Sequence, residues 1–143
     1  GGVYLGGTGA ANKLDDFEES THDSVLTGST SGTFTGSNSG RATKIGRLVA
    51  FSFSVDSIQT ASVSGALTIA LPMTNAGLPL YVPLQVYNAN YPTNAKTLYG
   101  YIGSNASLIS LFWSVDDSAS LEVTNSDMNN NSFIRGTFTY TTA

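Results

Sequence analysis

From about residue 22 onward, apolar and polar residues alternate in short runs along the chain. The clearest run is "RLVAFSFSVD", where Val49, Phe51, Phe53 and Val55 fall on one side and Ala50, Ser52 and Ser54 on the other. An extended strand points successive side chains to opposite faces, so a period of two predicts a strand with one buried face. "GALTIALP" repeats the pattern with Leu67, Ile69 and Leu71 turned inward. "SVLTG", "TFTG", "RATKI", "LYVPLQVY", "TLYGYIG", "SLISLFWSV", "ASLEVT" and "SFIRGTFTYT" are further strand candidates. "STSG" predicts a hairpin between the first two, "SNSG" a turn before "RATKI", and Gly46 a turn before the strand that follows. Pro83 lies inside "LYVPLQVY"; a proline cannot donate to the ladder, which predicts an edge strand or a bulge there.

No stretch carries a 3.6-residue apolar period, and no internal repeat is visible. About eight to ten short strands separated by turn residues predict an all-β fold, an antiparallel β-sandwich of the jelly-roll kind. Two polar stretches read as connections. Asp116–Asp117 predicts a turn in which the side chains bond their own backbone, and "SDMNNNS" (126–132) predicts a loop.

Composition sharpens this picture. A chain of 143 residues suits one domain and buries roughly 68–70% of its unfolded surface, enough for a real core. Charged residues are 11%, against about 25% in an average globular protein. Ser (19), Thr (17) and Asn (11) supply the missing polarity, and they suit a sheet surface better than a solvent-facing helix. The net charge of −4 and pI of about 4.6 argue against a nucleic-acid partner, which needs clustered Lys and Arg. No apolar run approaches the ~20 residues that span a bilayer, so no membrane insertion is expected. "GGVYLGGTGA" has neither the basic start nor the apolar stretch of a signal peptide. The absence of cysteine excludes disulfides and thiolate zinc sites, which leaves packing or oligomerisation to stabilise the fold. Residues 1–20 are expected to form an extended glycine-rich shaft and junction, and 21–143 the β-sandwich tip.

"GGVYLGGTGAANKLDDFEES", followed by "TFTGSNSGRATKIGRLVAFSFSV", resembles the distal C-terminal region of tail fibres and tailspikes of tailed bacteriophages. In that family an acidic junction of the form "LDDYEEG" ends a slender shaft and a β domain follows. The matching junction here is Leu14, Asp15, Asp16, Phe17, Glu18 and Glu19; the family's strand pair corresponds to 40–49, and a later strand to 65–72. The resemblance covers the first half of the chain. It implies a homotrimer in the phage virion tail, acting outside the cell in host adhesion or fibre trimerisation.

The acidic junction is the densest charge cluster, holding four of ten acids. Glycosidic acid–base work needs carboxylates on opposite sides of a bond, about 5–5.5 Å or 6.5–9.5 Å apart in a cleft, and four acids within five residues do not provide that. Calcium takes six to eight oxygens, and the spacing is not that of a helix–loop–helix calcium site, although three chains would bring three such clusters together. The favoured reading is a partly paired segment at the trimer junction, with Leu14 and Phe17 anchoring neighbouring chains. His22 is the sole histidine; it has Asp23 beside it but no nucleophile elbow, and it reads as a lone exposed histidine. No catalysis, cofactor or metal is expected.

The second half holds Tyr81, Tyr87, Tyr91, Tyr99, Tyr101 and Trp113. Aromatic faces stack on sugar rings, and Asn side chains add directional hydrogen bonds. "VYNANYPTNAKTLYGY" (86–101) therefore nominates Tyr87, Asn88, Asn90, Tyr91, Asn94 and Tyr99 as glycan contacts. The competing reading places the aromatics in the core or between subunits, where such residues dominate. The expectation is a receptor-binding tip that holds a bacterial surface glycan without chemistry; the alternative is a trimerisation clamp for an upstream shaft or depolymerase domain.

Overall fold

The computed structural model describes residues 3–4, 13–14, 17–59, 62–116 and 118–143. They form β1 (Val3–Tyr4), β2 (Lys13–Leu14), β3 (Phe17–Thr21), β4 (Leu26–Gly28), β5 (Thr35–Ile45), β6 (Leu48–Gln59), β7 (Leu67–Ala70), β8 (Leu80–Ala89), β9 (Ala95–Ile102), β10 (Leu108–Val115), β11 (Leu121–Glu122) and β12 (Met128–Thr141). One 3-10 turn, Asn125–Asp127, precedes β12. β1 pairs with β2; the other ten strands form one antiparallel sheet in the order β3-β5-β6-β12-β8-β9-β10-β7-β4, with β11 on β10. The fold is all-β and antiparallel, as expected. In place of two separate sheets, one continuous sheet curls into a half-barrel.

Chain connectivity requires the curl. β3 and β4 stand at opposite ends of the strand order, yet only residues 22–25 join them. Laid flat at about 4.8 Å per strand gap, those edges would be about 38 Å apart, while the linker reaches at most about 17 Å. The two edges must therefore approach. His22, expected to be exposed, is instead half-buried and ties the strands beside them: its backbone N–H donates to the Gly40 carbonyl of β5, and its Nε2 donates to the Ala70 carbonyl of β7 at 3.2 Å. Bulges supply the bending. Ser57, Asn88 and Asn131 have φ of 52°, 57° and 64°, and the β6–β12 and β8–β12 registers shift beside them. Asn tolerates this left-handed conformation better than other side chains. The polar run expected as a loop is thus mostly strand: Met128 and Ser132 are buried, and Ser132 Oγ donates to backbone carbonyls and accepts from Asn129 N–H. "SNSG" is likewise inside β5 and not a turn, because β6 pairs with it residue for residue from Ser37 to Ile45.

β8 is the handover between the two halves. Its ladder with β12 ends at Leu84–Gly136, and its ladder with β9 takes over at Pro83–Tyr99. The N–H that proline lacks falls at this change of partner. Pro83 therefore sits within the sheet and not on an edge strand.

One core fills the curl. Val49, Phe51, Phe53 and Val55 of β6 meet Leu67 and Ile69 of β7, Ile109, Leu111 and Trp113 of β10, and Ile134, Phe138 and Tyr140 of β12. The inward faces read from the alternation in β6 and β7 are the buried ones. Tyr140, 4% exposed, donates its hydroxyl to the Met73 carbonyl at 3.0 Å and accepts from the Met73 N–H at 3.3 Å, tying β12 to the connection before β8. Burial pushes its pKa up to about 12, with the Met73 bond pulling the other way.

Candidate functional site

The face of the sheet opposite the core is polar for a simple reason: every second residue of β5, β6 and β12 points there. Cross-strand register builds it in rows. Arg41 lies opposite Ser52, and Ser52 opposite Thr137; one row further, Ser39, Ser54, Arg135 and Gln85 line up across β5, β6, β12 and β8. Where this face meets the bend of β8 it forms an open groove of about 900 Å³, lined among others by Thr21, Asp23, Arg41, Arg135, Pro83 and Gln85. Ser52 and Thr137 hydroxyls bond each other at 2.9 Å. Arg135 is held on three sides: Nη2 donates to Asp56 Oδ1 at 2.9 Å, Nε to Ser54 Oγ at 2.9 Å, and its guanidinium lies 4.4 Å over the Phe133 ring.

Two clusters of aromatic rings adjoin the β8 side of the groove. Toward one end, Tyr87 stacks on Phe133 at 5.2 Å and 14°, with Tyr87 62% exposed. Along β8 and β9, Tyr81 leans on Tyr99 and Tyr101 at 5.7 and 5.2 Å, and Tyr99 stacks on Phe112 at 5.7 Å. Pro83 lies opposite Tyr99, so this cluster adjoins the groove wall. Stacked and edge-on pairs at these separations stabilise each other and leave the outermost ring faces free.

The structure separates the six nominated contacts. Tyr87 and Tyr99 share the outward face, on opposite flanks of Pro83 and Gln85. Tyr91, 51% exposed, covers the fully buried Trp113 at 4.9 Å. The Asn88 and Asn90 side-chain amides donate to the Asn130 and Ser126 carbonyls, which shapes the β8 end against the start of β12. Asn94 has φ of 66°, and its carbonyl accepts from Asp116 N–H. Of the junction residues, Asp15 and Asp16 lie outside the described residues, as does Asp117. Glu18 pairs with Lys44 at 3.2 Å, and Glu19 is exposed. Phe17, Ile45 and Leu48 form one exposed apolar row on the outward face. Among the described residues no three His, Asp or Glu side chains converge as metal ligands would.

Arg41, Arg135, Gln85, Asp56 and Phe133 were not singled out from sequence. Their signal was present but weak: Arg41, Asp56, Phe133 and Arg135 occupy outward positions where the neighbouring outward residues are mostly Ser and Thr, and Gln85 stands between Pro83 and Tyr87 on the outward side of β8.

No protein-family model matches the chain, and no curated protein does. Among solved structures it matches the crystal structure of the Dettilon tailspike protein (gp208) over 92% of this chain, with a TM-score of 0.68 and 21% sequence identity. The fold is similar to part of a tailspike. The chain spans only 25% of that protein's length, and at this identity the likeness is one of fold. A tailspike-like fold built from one curled sheet agrees with the resemblance carried by the junction and the strand motifs.

Proposed function

We propose that this chain is a distal domain of a phage tail fibre or tailspike, a virion component that assembles as a homotrimer and binds a bacterial surface glycan without catalysis. The observation that carries the binding part is the outward groove: hydroxyls, the Gln85 carboxamide and two guanidinium groups line it, and two clusters of packed rings adjoin its β8 side, with Tyr87 and Tyr81 exposed. Sugars present this complement, with hydroxyls around each ring edge and C–H bonds on each ring face. The likeness to a tailspike supports the phage-tail part. Trimerisation gives weak sites their strength. A millimolar site contributes about −4 kcal/mol, and joining copies raises avidity by about 10²–10⁴ when geometry permits simultaneous contact. In this reading Phe17, Ile45 and Leu48, exposed beside the junction, pack against sister copies.

That same apolar row favours a second reading, a trimerisation clamp with no receptor of its own. Arrays of bacterial surface polysaccharides probed with the isolated domain separate the two, combined with light scattering for mass. A trimer that binds glycans and loses them on Tyr87→Ala or Tyr99→Ala supports the proposal. A trimer that binds nothing on the array supports the clamp, and a stable monomer removes the shared assembly step from both.

A further inference from the structure

The groove contains a charge that the fold leaves unused. Among the described basic side chains, Lys44 pairs with Glu18, Lys96 with Asp116 and Arg135 with Asp56, while Arg47 donates to the Thr142 carbonyl. Arg41 alone has no hydrogen bond or ion pair with any described residue. It is not on a free-moving loop: its backbone lies in β5 between Thr21 of β3 and Ser52 of β6. The side chain is exposed and lines both the main groove and an adjoining hollow of about 180 Å³ that it shares with Glu19 and Thr43. Lattice geometry of the sheet sets Arg41 and Arg135 two strands and one row apart, about 12 Å between backbones.

The two arginines therefore differ in kind. Arg135 is neutralised by Asp56 and fixed by Ser54 and Phe133. Arg41 keeps its full set of planar donors, whose fork matches a carboxylate in two parallel hydrogen bonds. The chain's net charge of −4 opposes diffuse attraction of a polyanion, so any anion taken here is recognised locally. Asp23 lines the same groove and disfavours a second negative group nearby. A single carboxylate on an otherwise neutral, hydroxylated ligand satisfies all of these conditions.

We infer that the groove selects a carboxylated sugar, such as a hexuronate within a surface glycan, with Arg41 holding the carboxylate and the Ser52–Thr137 and Arg135–Gln85 rows holding neighbouring hydroxyls. The inference rests on the glycan-binding reading above and names the ligand class for that site. The test presents hexuronate-containing bacterial capsular polysaccharides in native form and with their carboxyls reduced to primary alcohols, together with neutral polysaccharides, to the assembled domain. Carboxyl reduction and Arg41→Gln are each expected to weaken binding about tenfold or more, the effect of losing charge-assisted hydrogen bonds. Arg41→Lys, which keeps the charge without the fork, is expected to fall between. Circular dichroism and the melting temperature establish that each variant folds. Equal binding to native and reduced forms, or a loss on reduction that Arg41→Gln does not reproduce, overturns the role of Arg41 while leaving glycan binding intact. Silence of the wild-type domain on every polysaccharide overturns the glycan reading itself.

Discussion

Removing one oxygen tests how the half-barrel is closed. Tyr140→Phe keeps the ring in place against Phe138 and deletes only the hydroxyl that bridges the Met73 carbonyl and N–H. Two hydrogen bonds at about 0.5–1.5 kcal/mol each give an expected loss of about 1–3 kcal/mol near neutral pH. The same hydroxyl carries a pH signature. Its pKa rises from 10.0 to about 12 on folding, chiefly through burial. In that interval the unfolded chain has released the proton and the folded chain still holds it, so stability falls as pH rises from 10 towards 12. Each pKa unit corresponds to about 1.36 kcal/mol, which makes the alkaline loss about 2–3 kcal/mol. Tyr140→Phe lacks this limb, while every other tyrosine is common to both proteins and cancels. The stability gap between wild type and variant should therefore shrink by about 2–3 kcal/mol across that window. Urea unfolding followed by emission of Trp113, the sole tryptophan, reads it out at fixed protein concentration, since assembly would couple stability to concentration. A gap that stays constant from neutral pH to pH 12 refutes the assignment of Tyr140 as a buried neutral bridge.

Three further outcomes follow from the packing. A methyl group at Gly28 would meet the Ser64 and Ser31 carbonyls, both backbone atoms that cannot swing aside, so Gly28→Ala should cost about 2–3 kcal/mol in urea unfolding and disorder the bridge between Ser31 and Ser64. His22→Ala removes the bond to Ala70 and the edge contact with Phe51 at 6.0 Å; a loss of about 1–2 kcal/mol, with faster amide exchange in β4 and β7, is expected from hydrogen-exchange measurements. Phe133→Ala removes the ring beneath both Tyr87 and Arg135, and should weaken glycan binding several-fold on the array while lowering stability by only about 1 kcal/mol.

How much of this was readable beforehand differs between segments. β6 was legible down to its buried face because strict alternation leaves one solution: a slip of one residue would turn Val49, Phe51, Phe53 and Val55 out to water. β7, β10 and the last half of β12 were legible as strands, although apolar Leu108 and Phe112 stand on the outward side of β10. β5 was only half legible. "TGSNSG" has no apolar alternation of its own, and it is a strand because β6 lies beside it and supplies the hydrogen bonds. The asparagine-rich start of β12 failed for the same reason, compounded by bulges at Asn88 and Asn131 that only paired strands reveal. Pro83 obeyed its chemistry but not the usual inference from it, because the ladder changes partner where the N–H is missing.

For the site, sequence alone determined the inventory: an all-β chain poor in charge, rich in hydroxyls, with its aromatics gathered in the second half and an acidic junction near the start. It also marked Tyr87 and Tyr99, which the sheet then set on one outward face. Tertiary structure decided which polar atoms are left over. Asn88 and Asn90 are consumed by backbone carbonyls, and Arg135 by Asp56, whereas Arg41 has no partner among the described residues. The alternation specifies only the side of the sheet on which a residue stands. Whether its donors remain free depends on neighbours from strands distant in sequence, as between Ser52 and Thr137, 85 positions apart, and those neighbours exist only once the sheet has formed.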